Sequence, residues 1–178
     1  MRVLIDANVL FPTILREIVT GYARAGGFTA LWSPRILEEW ARAAARLGEE
    51  EIARAEIAAL RAVFEDAEIT PDPGVQAALH LPDPDDTHVL AAAIAGDADE
   101  LLTANTRDFP TRTLATHGII RRDPDGFLRE ALEADAARLR PVIEATMKKA
   151  RGFGIEGDDR ALLKRARLPR VAKVWGAD

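Results

Sequence analysis

At 178 residues, 48% apolar and 30% charged, the chain has the size and composition of one ordinary globular domain with a small appendage. It contains no cysteine, which excludes disulfides, thiolate zinc sites and cysteine nucleophiles. The net charge of −5 conceals a division: residues 1–138 hold 14 Lys and Arg against 24 Asp and Glu, whereas residues 139–178 hold 10 against 5, including every lysine. An acidic body with a basic tail suits a protein that holds cations in the one and meets a polyanion or an acidic segment with the other. A solvated basic helix is the plainer account of the tail.

Taken in order, Val3-Leu4-Ile5 predicts a short buried strand with Asp6 directly after it, too short an apolar run for a signal peptide. Ile14, Leu15, Ile18, Val19 and Tyr22 recur at helical spacing up to about Arg24, and Gly26-Gly27 stops that helix. Phe28–Trp32 reads as a second strand, and Ser33-Pro34 as an N-cap followed by Pro in the first turn. The helix that follows carries Glu38 and Glu39; another, from about Glu49 to Phe64, is expected to turn Ile52, Ile57, Leu60 and Val63 inward. Residues 68–84 are loop-like. A short Ala-rich helix ends near Gly96, and Glu100-Leu101-Leu102-Thr103 makes a third strand. After a helix over Arg112–His117 and a strand at Gly118–Arg121, Asp123 opens a helix that Pro141 should interrupt. Two basic helical segments, about 141–150 and 158–167, complete the chain. Strands alternating with helices predict a three-layer α/β/α sandwich around a central parallel sheet, with added C-terminal helices. The change of charge divides the chain into a body, 1–138, and a basic helical extension, 139–178. No apolar run approaches the roughly 20 residues needed to cross a bilayer, so no membrane association and a cytoplasmic location are expected.

The most informative stretch is LPDPDDTHVLAAAIAGDADELLTANTRDF, residues 81–109. It sets Asp83, Asp85 and Asp86 ahead of a helix and Asp108 just past a strand, the edge where ligands of open parallel sheets sit. Each acid has an ordinary explanation alone, as a cap, a turn residue or a solvated helix position. Asp6 is harder to dismiss, because a charge abutting a buried strand is costly to desolvate without a partner. Four carboxylates meeting in one cleft would raise one another's pKa, and a hard divalent cation relieves this. Oxygen ligands without Cys or His favour Mg²⁺ or Mn²⁺, and such a site suits phosphodiester hydrolysis.

Four segments, IDANVL, SPRILEE, DPDDTHVLAAAIAGDAD and LLTANTRDF, occur jointly in this order. Together they resemble a PIN domain, specifically the VapC-type toxin branch, over about residues 1–125. The tail segment ALLKRARLPRVAKV resembles a C-terminal helical extension of some of these proteins. The resemblance implies a metal-dependent ribonuclease with four acidic positions, Asp6, Glu39, Asp86 and Asp108. Glu39 matches the second better than Glu38, because the family's Glu lies six residues after the helix-opening Ser, here Ser33. Asp6, Asp86 and Asp108 are the implied metal ligands, and Glu39 binds a second ion or positions the attacking water. Asn8, Thr103 and Asn105 are supporting residues, with Asn8 buttressing Asp6. Arg107 and Arg112 are candidate phosphate contacts. Asp83 and Asp85 are expected to cap or shape the rim, and His80, His88 and His117 to take no part in catalysis. The resemblance further implies an RNA substrate, a cognate antitoxin and a homodimer. Trp32, Trp40 and Tyr22 are expected in the core, leaving Trp175 as the candidate for stacking on an unpaired base.

Two other α/β classes that use an Asp after the first strand are disfavoured. Haloacid-dehalogenase phosphatases need a second Asp where this chain has Asn8, and receiver domains need an acidic pair and a late Lys that are not apparent. Within the same fold, a stand-alone RNA-processing nuclease or a non-catalytic RNA- or protein-binding module remain the alternatives.

Overall fold

The structure, a computed structural model, describes residues 1–176. Four short strands form one all-parallel sheet: β1 (Arg2–Ile5), β2 (Thr29–Leu31), β3 (Glu100–Leu102) and β4 (Ile120–Arg122), in the order β2-β1-β3-β4. The chain leaves β1 toward β2 on one side and later returns to β3 on the other, so the order in which strands are added reverses between β1 and β3. Clefts of α/β sheets open at the carboxyl ends of the strands flanking such a point. Val3, Leu4, Ile5, Leu31, Leu101 and Leu102 are all wholly buried, as expected of strands covered on both faces. The architecture is the α/β/α sandwich that the alternation of elements predicts.

The chain divides into two compact units, one of residues 1–11 and 29–122, the other of 12–28 and 123–178. The first holds the sheet together with α1 (Ala7–Leu10), α3 (Pro34–Ala45), α4 (Glu50–Val63), α5 (Pro73–Ala78), a 3-10 turn (Pro84–Asp86), α6 (Thr87–Ala95) and α7 (Thr111–Ala115). Ser33 Oγ accepts the Ile36 N–H at 3.2 Å and starts α3, as its sequence predicts. Helix α6 is apolar all round and buried from Thr87 to Ala93. Helix α4 corrects one expectation. Ile57 is buried and Leu60 half-buried, but Ile52 and Val63 are 62% and 53% exposed. Ala53, Ile57 and Leu60 follow the i, i+4, i+7 line of a single contact stripe against α3, and Ile52 and Val63 fall off it.

The second unit holds α2 (Thr13–Arg24), α8 (Pro124–Ala134), α9 (Ala136–Gly152), α10 (Asp159–Arg165) and α11 (Pro169–Val174). Gly26, at φ +84, ends α2. The break after α8 comes at Asp135, in a non-helical conformation, and Pro141 lies inside α9 instead of ending it. Pro141 is exposed, and the carbonyl deprived of its partner belongs to exposed Ala137. Position 138/139, where the charge balance changes, therefore falls within a continuous helix. Helix α11 lies beyond the two helical segments read from the tail, but within the stretch whose resemblance implies a helical extension. Its first turn is held from outside by buried Asp125, which accepts the N–H groups of Arg170 and Val171 at 2.9 and 3.0 Å. Trp32, Trp40 and Tyr22 are core residues, but so is Trp175: it is 7% exposed, its indole N–H donates to Asp159 at 3.1 Å and Arg140 covers its ring. It has no free face on which to stack a base.

Candidate metal centre

The site begins where β1 ends. The Asp6 N–H donates to the Leu102 carbonyl at 3.1 Å, so Asp6 prolongs the β1–β3 ladder and stands at the carboxyl end of both strands. Its side chain is 5% exposed. Oδ1 accepts the Ala7 N–H at 2.6 Å, and Oδ2 accepts the Asn8 amide at 2.5 Å and the Thr103 hydroxyl at 2.7 Å. Burial pushes this carboxyl above the usual carboxylate range, against the bonds from Thr103 and Ala7; the charge of Glu39 pushes in the same direction.

Thr103, wholly buried, joins the two strand ends to the loop that follows. Besides donating to Asp6, its hydroxyl oxygen accepts the Asn105 N–H at 3.0 Å and the Asn8 amide at 3.1 Å. Asn8 accepts the Ala104 N–H at 2.9 Å. The Asn105 amide donates to Asp86 Oδ2 at 3.0 Å, while its oxygen accepts the Asp108 N–H at 3.3 Å. The three supporting residues thus brace the acids mechanically, with Asn8 and Thr103 holding Asp6 and Asn105 spanning Asp86 and Asp108. Thr103→Val, which keeps the shape and removes the hydroxyl, should cost about 2 kcal/mol by leaving these buried groups unpaired. A urea midpoint unchanged from wild type would refute this account of Thr103.

At the mouth lie three more acids. Carboxylate oxygens of Asp83, Asp86 and Asp108 are within 4.8 Å of one another. Asp83 also accepts the Asp85 N–H at 2.9 Å and so caps the 3-10 turn. Asp86 sits at the N-cap of α6 without making a capping bond, so its carboxylate is not spent on helix formation. Partial burial, followed by the charges of Asp6, Asp83 and Asp108, pushes the Asp86 pKa up to about 6. A cluster of hard oxygen donors that resists its own ionisation fits a hard divalent cation, and no sulfur or imidazole competes for the place among the three. Asp6, expected as a direct ligand, is not among these three; both of its oxygens accept hydrogen bonds from the protein, which orients the carboxylate and leaves it lone pairs for a cation.

A family model described as the PIN domain matches residues 2–107. The chain belongs to the PIN domain family. No curated protein and no solved structure gave a match. PIN domains are generally metal-dependent nucleases, and the three-acid cluster is tied through Asn105 to the loop that follows β3. Among the described residues, no helix is long and apolar enough to cross a membrane.

The remaining candidates divide around this centre. Glu39, on α3, lies 3.5 Å from Arg35 Nε toward solvent, and its Oε1 is 2.8 Å from His88 Nε2 on the buried side. Glu38 turns away to Arg42 and Arg54, whose bonds lower its pKa. Arg35 also donates to the Asp85 carbonyl at 3.2 Å, tying α3 to the acidic turn. Arg107 and Arg112 are exposed, as are His80 and His117. Sequence reasoning left out Asp83 as a cluster member and His88 as a neighbour of the centre. The signal for Asp83 was its spacing from Asp86, since residues three apart eclipse in a 3-10 turn.

Proposed function

We propose that this PIN domain is a Mg²⁺- or Mn²⁺-dependent endoribonuclease that hydrolyses RNA phosphodiester bonds, and that it is the toxin of a VapC-type toxin–antitoxin pair. The observation that carries the first half is the gathering of Asp83, Asp86 and Asp108 in front of buried Asp6. A divalent ion held there supplies charge for the phosphoryl oxygens and lowers the pKa of a bound water. Asp86 and Asp108 would hold it, with Asp83 beside them. Asp6, fixed by Ala7, Asn8 and Thr103, adds negative charge behind the cluster and sets the spacing of the strand ends. Glu39 faces the same region from α3 and orients the attacking water, whose oxygen replaces the leaving oxygen at phosphorus. Arg107 and Arg112, exposed beside the loop that carries Asp108, offer planar donors to flanking phosphates.

RNA incubated with the protein and Mn²⁺ or Mg²⁺ should be cut, and EDTA should stop the reaction. Asp86→Asn and Asp108→Asn should each reduce the rate about a hundredfold or more. Cleavage that survives EDTA, or variants that cut like wild type, would sink the nuclease reading; RNA bound but never cut would make this a binding module. The toxin half rests on the resemblance of the four sequence motifs to the VapC branch, and with it come a cognate antitoxin, a homodimer and a cytoplasmic location. Expression should arrest growth, and the product of an adjacent short reading frame should relieve the arrest. A protein that cuts RNA without arresting growth would be a stand-alone processing nuclease.

A further inference from the structure

We infer that His88 is a positioning residue that holds the Glu39 carboxylate at the metal centre, an inference that rests on the nuclease reading of that centre. His88 is the second residue of α6, two positions after Asp86, and its side chain is 2% exposed. Nε2 stands 2.8 Å from Glu39 Oε1, close enough for an ion pair but not aligned for a hydrogen bond, and neither ring nitrogen has a hydrogen bond to any described group. A histidine with a purely structural role in a core finds a backbone carbonyl or a hydroxyl for its ring nitrogens. Here the ring lies instead beside a carboxylate from α3 whose charge acts on Asp6. The other buried residues of the helix are Val, Leu, Ala and Thr87, whose hydroxyl donates to the Pro84 carbonyl, so the ring is the one buried polar group of α6 without a hydrogen bond among the described residues.

The geometry gives that exception a purpose. Glu39 is 35% exposed and reaches its position along a flexible side chain from α3. From the solvent side it is met by Arg35, at 3.5 Å, with Arg35 itself half exposed. Such a pair restrains little. The buried ring, fixed by packing within α6, gives Glu39 a rigid partner on the same helix that carries Asp86. His88 thereby sets the distance between the acid from α3 and the acid at the start of α6. Partners of this kind, one step removed from an ion, usually matter to affinity or rate by a factor of ten or more.

The test compares His88→Leu, which fills the space without a donor, with His88→Gln, whose amide nitrogen falls near the Nε2 position. Mn²⁺ affinity is measured by calorimetry on each purified protein, alongside RNA cleavage, in wild-type and Glu39→Gln backgrounds. His88→Leu should weaken Mn²⁺ binding and cleavage about tenfold, with the loss of rate in kcat more than in KM. His88→Gln should recover most of both, and in the Glu39→Gln background His88→Leu should add little. Equal losses for Leu and Gln, or losses that multiply with Glu39→Gln, would overturn the inference, as would a Leu variant that behaves like wild type. A wild-type protein that binds Mn²⁺ without cutting RNA would remove the nuclease reading alone, and the Mn²⁺ arm would still decide the part played by His88.

Discussion

Asp86→Asn should melt at a higher temperature than the wild type when both are free of divalent ions at pH 7.5, while losing cleavage. The carboxylate at this position is partly buried and held among like charges, and both push its pKa up to about 6, so the folded state resists its charge. An amide keeps the bond to the Asn105 side chain through its oxygen and turns its N–H groups toward the carboxylates of Asp83 and Asp108. Repulsion is thus replaced by donation. Allowing for solvent screening at a partly exposed site, the gain is about 1–2 kcal/mol, or roughly 3–6 °C. Saturating Mn²⁺ should reverse the order, since only the wild type gains from binding it. An Asn variant that melts below the metal-free wild type would mean that the acids at the mouth do not strain the fold.

The pH dependence of the metal-free protein should carry the same signature. In the unfolded chain Asp86 titrates near the ordinary value of 3.8, and in the folded protein near 6. The folded state therefore holds more protons across that window, and stability falls as pH rises through it, levelling off above about pH 7. Asp6, whose pKa is also raised, acts with the same sign. The metal-free wild type should accordingly lose melting temperature between pH 5 and pH 7.5 relative to Asp86→Asn. With Mn²⁺ present the trend inverts, because cation and proton compete for the same carboxylates; the thermal gain from the ion, and the cleavage rate, should both rise through about pH 6. Calorimetric scans at several pH values, with EDTA and with Mn²⁺, separate the two curves. A difference between wild type and Asp86→Asn that does not vary with pH would refute the assignment.

Much of the fold follows from local chemistry. Three buried apolar residues followed by Asp6, the Ser33-Pro34 cap and the Ala-rich run after Asp86 mark β1, α3 and α6 without reference to anything distant. Strand order is another matter: the pairing of β1 with β3 rather than β4 depends on contacts between segments almost a hundred residues apart. The placement of single side chains depends likewise on what packs beside them. Ile52 and Val63 are apolar but miss the narrow stripe that α3 covers, and Trp175 is buried because Asp159 and Arg140 close over it. At the centre, the acids were legible because a carboxylate abutting a buried strand is costly and several more fall at the same edge of the sheet. Their division of labour was not. Asp6 follows the first strand in sequence, but only the fold shows how it is held, by two donors from α1 and one from the residue after β3. His88 looks like one more core residue until its ring is placed beside Glu39.

Those three donors to Asp6 have a wider consequence. They orient the deepest carboxylate without neutralising it, so the floor of the cleft has its shape fixed by the polypeptide while its charge is still left to be answered from solution. Loss and recovery of a cofactor then become matters of filling and emptying a finished cup, with no refolding in between.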